Sequence, residues 1–253
     1  MNIALRSLTQ ILNLPGRRWQ AQCLGFIIFL VFCLRSSVLL SYPAGTWNAY
    51  SVNFPLLKKH KLYWYTRFET RFSEDITYFY RYQVYLGPEY TPLRYLYLSL
   101  KYGFIEESFN NKPFQTENRL MLYITPQCKL ADLDVNIWGL GKLKFEVENR
   151  FDFRIRAYKT DPYSWRYRVY PKISYPFHIS KNLTLSPVVK QAFYFKLREG
   201  GFFSQGRTYG GVSAKIYRRL NVTLYYMRLI ERPSPRGHWA GLNIIGTSIG
   251  YKF

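Results

Sequence analysis

The chain is poor in cysteine, histidine and acid, and it holds a single long apolar run. Of its three cysteines, Cys23 and Cys33 sit in that run and only Cys128 follows it. One thiol closes no intramolecular disulfide and builds no thiolate metal cluster. The three histidines, His60, His178 and His238, each fall at an expected turn or strand end. No H-E-x-x-H pair, P-loop or glycine-rich dinucleotide turn occurs, and "GLGK" at 139–142 is too short to cradle phosphate. No cofactor, no metal and no enzymatic activity are therefore expected. Acids number 15 against 36 Lys and Arg, a formal charge of +21. That surplus draws the chain toward anionic lipid, anionic solutes or nucleic acid. Disorder is excluded by a 48% hydrophobic and 19% aromatic content.

The apolar run, "CLGFIIFLVFCL", is 12 residues long before Arg35 interrupts it, well short of the ~20 that a spanning helix needs. Arg17 and Arg18 precede it and "SYPAGTW" follows. Basic, apolar and small segments in that order read as a secretory signal over residues 1–45, with an uncleaved anchor as the alternative. The residues before Cys33, "LVF", lack the small side chain of a lipoprotein site, so no lipid anchor is expected. No Pro- or Ser-rich linker divides the remainder, which reads as one domain, 46–253.

What the chain has in abundance is alternation. In "LKFEVENRFDFRIRA", Leu143, Phe145, Val147, Phe151, Phe153 and Ile155 share one face of a strand and charged residues the other. Wound as a helix, the same residues would leave no stripe to bury. At roughly 3.3 Å per residue the stretch would be about 50 Å long, far beyond a usual globular strand. The pattern returns in "LYWYTRFETRF", "RYLYLSLKYGF", "ENRLMLYI", "LDVNIW" and "SWRYRVYPKISY", and more weakly near 47–54, 76–86, 183–197, 205–217 and 221–231. Turn signals separate the segments: "SED", "GPEYTP", "NNKP", "GLGK", "KTDP", "SKN", "REGG", "RRLN" and "RPSPRG". The expected fold is all-β, a single antiparallel transmembrane barrel of about twelve strands, an even number as in bacterial single-chain barrels. A sheet that wide, closed with its apolar face inward, would leave a void. Apolar-out has no such defect, and the aromatic clusters at segment ends suit an interfacial girdle.

The chain ends in "NIIGTSIGYKF", with Ile245, Thr247, Ile249, Tyr251 and Phe253 on one face. This resembles the last strand of bacterial outer-membrane barrels, in which a terminal Phe is read by the barrel assembly machinery, and it implies that Ile249, Tyr251 and Phe253 form that signal. The pieces "WNAYSVNF", "RFETRFSEDITYFYRYQVYLGPEYTP", "ENRFDFRIR" and "SYPFHISKNLTL" resemble the outer-membrane family called domain of unknown function 2490. The likeness covers nearly all of the chain after the signal. It implies an exported outer-membrane barrel in contact with lipid, and no assigned activity.

Function then rests on the lumen. The inward rows are expected to hold Arg67, Glu69, Arg71, Arg119, Glu146, Glu148, Arg150, Asp152, Arg154, Arg156, Arg166, Arg168 and Lys172, with Arg81, Lys101, Glu117 and Lys144 on the same rows. The excess is positive, and Arg forks suit carboxylates and phosphates. The leading expectation is a narrow channel or binding barrel for small anionic solutes. The second is a non-conducting structural or interaction barrel whose acids and bases pair and fill the lumen. The third is a lipid-modifying enzyme using His178 and Ser180 of "FHIS", for which no oriented third partner is found. Tyr and Arg interleave here with the strand pleat, so no nucleic-acid partner is expected.

Overall fold

In the computed structural model, residues 44–73, 78–108, 113–133, 140–232 and 234–253 are described. The expected signal segment lies almost wholly outside them, as do most of the "SED", "NNKP" and "LDVNIW" segments. Twelve strands are present: β1 (Ala44–Leu57), β2 (Leu62–Phe72), β3 (Phe79–Leu93), β4 (Leu96–Glu107), β5 (Gln115–Lys129), β6 (Lys144–Ile155), β7 (Tyr163–Ser174), β8 (Phe177–His178), β9 (Leu183–Lys196), β10 (Phe202–Ile216), β11 (Leu220–Glu231) and β12 (Ala240–Lys252). Eleven of them close a barrel, each bonded to the next along the chain, β7 to β9, and β12 back to β1. The two-residue β8 continues the β7 edge of β9 through Phe177 and His178.

Closure differs from expectation in one respect. An up-and-down barrel with an odd number of strands brings its first and last strands together pointing the same way. The β1–β12 pairing is accordingly parallel, running from Ala44 opposite Asn243 to Asn53 opposite Lys252. All other pairings are antiparallel. The start of β1 thus lies at one end of the barrel, called here the N-terminal end, and Phe253 at the other, the C-terminal end.

Alternation decides which side each residue takes. On β6, Phe151 and Ile155 are exposed outward while Arg150 and Asp152 are buried inward. The strand spans 12 residues, Lys144–Ile155, about 40 Å at 3.3 Å per residue and shorter than the pattern suggested. Exposed Phe68, Leu100, Leu120, Leu122, Leu224 and Ile245 belong to an apolar outer band. Aromatic contacts flank that band at both ends. Phe79, Tyr82 and Phe114 cluster at the N-terminal end, where Phe153 also stacks near Tyr163 and Trp165. At the C-terminal end Phe253 stacks on Phe54, centroids 4.9 Å apart, and meets Tyr251.

Two expected features are corrected. "GPEYTP" is not a turn. It continues β3, with Gly87 opposite Tyr65 and Pro88 opposite Trp64, and the chain reverses at residues 94–95. Gly87 makes the passage possible, because with φ at +154° a Cβ there would lie 2.1 Å from the Leu100 carbonyl oxygen. Leu133, expected to open a strand, instead ends a 3-10 turn, Leu130–Leu133, where the Lys129 N–H donates to Asp132 at 3.0 Å.

Candidate functional site in the barrel lumen

The inward rows sort into two zones. Toward the N-terminal end, acids and bases close on one another. Register sets like charges directly opposite each other across neighbouring strands: Arg71 with Arg81, Arg119 with Arg154, and Arg150 with Arg168. Such pairs repel, and carboxylates bridge them. Asp152, fully buried, takes Arg150, Arg166 at 3.0 Å and Arg168. Glu117 takes Arg119 and both Nε and Nη2 of Arg154. Glu69 takes Arg67 at 2.8 Å and Arg71 at 2.7 Å, and Glu107 takes Arg81 at 3.0 Å. Ile105, Met121, Met227, Ile244 and Tyr194 have no exposed surface in the same zone. Together these side chains plug the lumen.

Toward the C-terminal end the lumen opens into a chamber of about 420 Å³, within the range of small-molecule sites. Exposure rises along this direction, with the side chains of Arg67 and Lys172 both at 31%. The chamber is lined by eight cationic side chains, Arg67, Arg71, Lys101, Arg150, Arg168, Lys172, Lys190 and Arg207, against three carboxylates, Glu69, Glu146 and Glu148. Aromatic walls lie between them. The Arg71 guanidinium stacks 3.5 Å over Trp47, Lys101 lies 3.6 Å over Tyr65, and Arg207 lies 4.8 Å from Trp47 and 4.7 Å from Tyr194. The inward position 246 is a glycine because the ring of Tyr225, directly opposite on β11, lies over it; a Cβ would meet that ring at 2.0 Å. Six buried donors lining the chamber have no hydrogen-bond partner among the described residues: Trp47 Nε1, Arg67 Nε, Gln83 Nε2, Thr125 Oγ1, Arg168 Nε and Arg207 Nε.

The thirteen residues expected on the lumen divide between the zones. Arg67, Glu69, Arg71, Glu146, Glu148, Arg150, Arg168 and Lys172 line the chamber. Arg119, Asp152, Arg154 and Arg166 belong to the plug. Arg156 lies past the end of β6 and donates to Ser164 at 2.8 Å. Partial burial, with Arg156 and Arg154 adding repulsion, holds the nearby Lys159 ammonium below the ordinary lysine range. Lys190, Arg207 and Trp47 were not among the expected residues. Their strands carry weak alternation, yet Arg207, Tyr209, Gly211 and Ser213 form a period-two row that could have been followed. His178 sits on β8, exposed, with Nδ1 3.0 Å from Thr184 Oγ1. Ser180 instead accepts from the Asn182 N–H at 3.3 Å.

At the parallel seam, Ile249, Tyr251 and Phe253 all face outward. The Phe253 N–H donates to the Asn53 carbonyl at 3.1 Å, and Thr247 Oγ1 donates to Asn48 at 2.6 Å. The residues expected to form the assembly signal thus lie on the strand that closes the barrel, Ile249 opposite Tyr50 and Tyr251 opposite Val52.

A family model described as "Protein of unknown function (DUF2490)" matches residues 44–238, from the first residue of β1 to the connection before β12. The chain belongs to this family. No curated protein matches it, and no solved structure does. For the DUF2490 barrel, then, chemistry must be argued from the lumen itself.

Proposed function

We propose that this DUF2490 protein is an outer-membrane β-barrel that holds small anionic solutes in a one-ended cationic chamber without conducting them. The exposed apolar band between two aromatic zones supports residence in a bilayer, since a closed barrel leaves no backbone edge unpaired in lipid. Three of the five connections at the C-terminal end are short turns of two to four residues, at 58–61, 94–95 and 217–219, the others being 130–143 and 175–182, whereas every connection at the N-terminal end has at least five residues. Short turns mark the periplasmic side of bacterial barrels, so the chamber faces the periplasm.

The observation that carries the reading is the chamber's surplus of positive charge: eight cations line it against Glu69, Glu146 and Glu148, and even with Glu89 on Lys101 and Asp152 on Arg150 and Arg168 just behind the wall, Lys190 and Arg207 keep no carboxylate partner among the described residues, while six buried donors want acceptors. A buried donor left unpaired costs about 1–3 kcal/mol, and an acceptor-rich anion satisfies several at once. The plug favours binding over passage, because an ion crossing the lumen would have to break carboxylate-bridged guanidinium pairs.

Full-length protein in planar bilayers under a salt gradient should show no single-channel steps. In detergent, millimolar citrate, sulfate or phosphate should raise its melting temperature beyond the effect of chloride at equal ionic strength, because an anion bound only by the folded state stabilises it. Anion-selective steps would overturn the one-ended chamber. Silence with no anion-dependent stabilisation would favour the purely structural barrel.

A further inference from the structure

Not every cationic row in the lumen is neutralised in the same way. In the plug and at its border with the chamber, both members of each like-charge arginine pair touch a carboxylate: Arg119 and Arg154 share Glu117, Arg150 and Arg168 share Asp152, and Arg71 and Arg81 have Glu69 and Glu107. The chamber contains one further like-charge pair, Lys172 opposite Lys190. Glu146 reaches Lys172 at 2.5 Å and divides itself with Lys144 at 3.1 Å. Among the described residues no carboxylate pairs with Lys190.

The next strand repeats the deficit. Lys190 lies opposite Tyr209, and Arg207 opposite Ala192, so Arg207 is the diagonal neighbour of Lys190 on the same inward face. Diagonal neighbours stand about 7–8 Å apart, within joint reach of long side chains. Arg207 is 8% exposed and likewise has no carboxylate partner among the described residues. It is held by neutral groups only: Nη2 donates to Gln205 Oε1 at 3.1 Å and Nη1 to the Tyr209 hydroxyl at 3.5 Å. Its Nε, buried, donates to nothing. Trp47 and Tyr194 fix the guanidinium between their rings.

Lys190 and Arg207, with a half-neutralised Lys172, therefore sit around Tyr209 with no carboxylate in ion-pair contact with either of the first two among the described residues, Glu148 and Glu146 acting on Lys190 only from farther off. We propose that Lys172, Lys190 and Arg207 form a subsite for a phosphomonoester dianion. This rests on the reading of the chamber as an anion-binding cup. It also relocates the site, away from the densely paired Arg150, Arg166 and Arg168, to the β7–β9–β10 face. Charge selects a dianion. Donor geometry selects a phosphoryl group: the Lys190 ammonium, Arg207 Nε and the Tyr209 hydroxyl, whose lone pair is taken by Arg207 and whose proton is directed elsewhere, offer separate donors to three oxygens. The aromatic walls and the chamber's volume suit a single ring as the organic part.

The test uses full-length protein in detergent, titrated calorimetrically with phenyl phosphate and, as a lipid-derived source of the same head group, dihexanoyl phosphatidic acid. One equivalent of phenyl phosphate should bind. Lys190→Gln and Arg207→Gln should each weaken binding at least tenfold, while Lys59→Gln, on the β1–β2 turn, should leave it unchanged. Lys190→Glu provides a variant that gains a counter-charge for Lys172 and so keeps the barrel folded; it should abolish binding. Tighter binding of the lipid assigns the source to the membrane, and tighter binding of phenyl phosphate to the periplasm; either keeps the phosphomonoester class. Unchanged affinity in the Lys190 and Arg207 variants, with loss in Arg150→Gln, would overturn the subsite and leave the anion cup standing. Failure of folded wild-type protein to bind any anion would overturn both.

Discussion

Replacing Asp152 by Asn is the sharpest test of the plug. Asp152 has no exposed surface, and its two oxygens serve Arg150, Arg166 and Arg168. The amide keeps the shape and one acceptor but removes the charge, leaving three guanidinium groups around a neutral side chain. Breaking a buried pair by removing one partner costs about 3–5 kcal/mol, and three partners sharing one carboxylate put the expected loss at the upper end. For a domain of 150–250 residues, each kcal/mol lowers the melting temperature by about 2–4 °C. A fall of roughly 10–15 °C therefore follows from these two scales, read as the temperature at which the folded, fast-migrating band disappears on an unboiled gel. Asp152→Asn with Arg168→Gln should recover part of the loss by removing one orphaned charge. A single variant that melts within about 3 °C of wild type, which is ~1 kcal/mol on the same scale, would refute the claim that Asp152 is the hub.

Other perturbations probe the chamber, the backbone and the seam. Lys190→Glu turns a repelling cross-strand pair with Lys172 into an attracting one, so it should stabilise by about 1 kcal/mol and raise the melting temperature by about 3 °C, even as it destroys the proposed site. Gly87→Ala drives a methyl against the Leu100 carbonyl at 2.1 Å and should cost about 1–3 kcal/mol, measured by urea titration of the folded band. Deleting Phe253 removes its stack on Phe54 and its bond to Asn53; a loss of about 0.5–1.5 kcal/mol is expected from the ring pair alone, together with slower closure in refolding time courses.

Much of this barrel was readable from local pattern, and the failures have identifiable causes. "LYWYTRFETRF" marks β2, Leu62–Phe72, end to end, because Tyr63, Tyr65, Arg67, Glu69 and Arg71 alternate with Leu62, Trp64, Phe68 and Phe72, only Thr66 and Thr70 breaking the apolar row. The lumen rows on β2 and β6 were legible for the same reason. Three things were not. Strand parity, and with it the parallel closure, is a property of the whole sheet. "GPEYTP" carries the vocabulary of a turn, yet Gly87 serves there to let β4 come close. The contrast between neutralised and unneutralised cations depends on register: Asp152 meets Arg166 and Arg168 only because β6 and β7 pair as they do, and Lys190 meets Lys172 across the next seam. No spacing within one strand reveals which charges will share a partner.

The parallel seam also sets the order of events in making this molecule. Ten of the closing contacts are between neighbours along the chain and can form as successive hairpins or short crossings, whereas β1 and β12 join residues separated by almost the entire barrel. Loop-closure entropy defers such a pairing, so the sheet should exist first as an open curl with two unsatisfied edges of the same polarity. Two such edges cannot be stapled by a tight turn. A permuted chain joining residue 44 to Phe253 would need a linker running the barrel's full height, and labels on those two residues would report from opposite ends of the barrel.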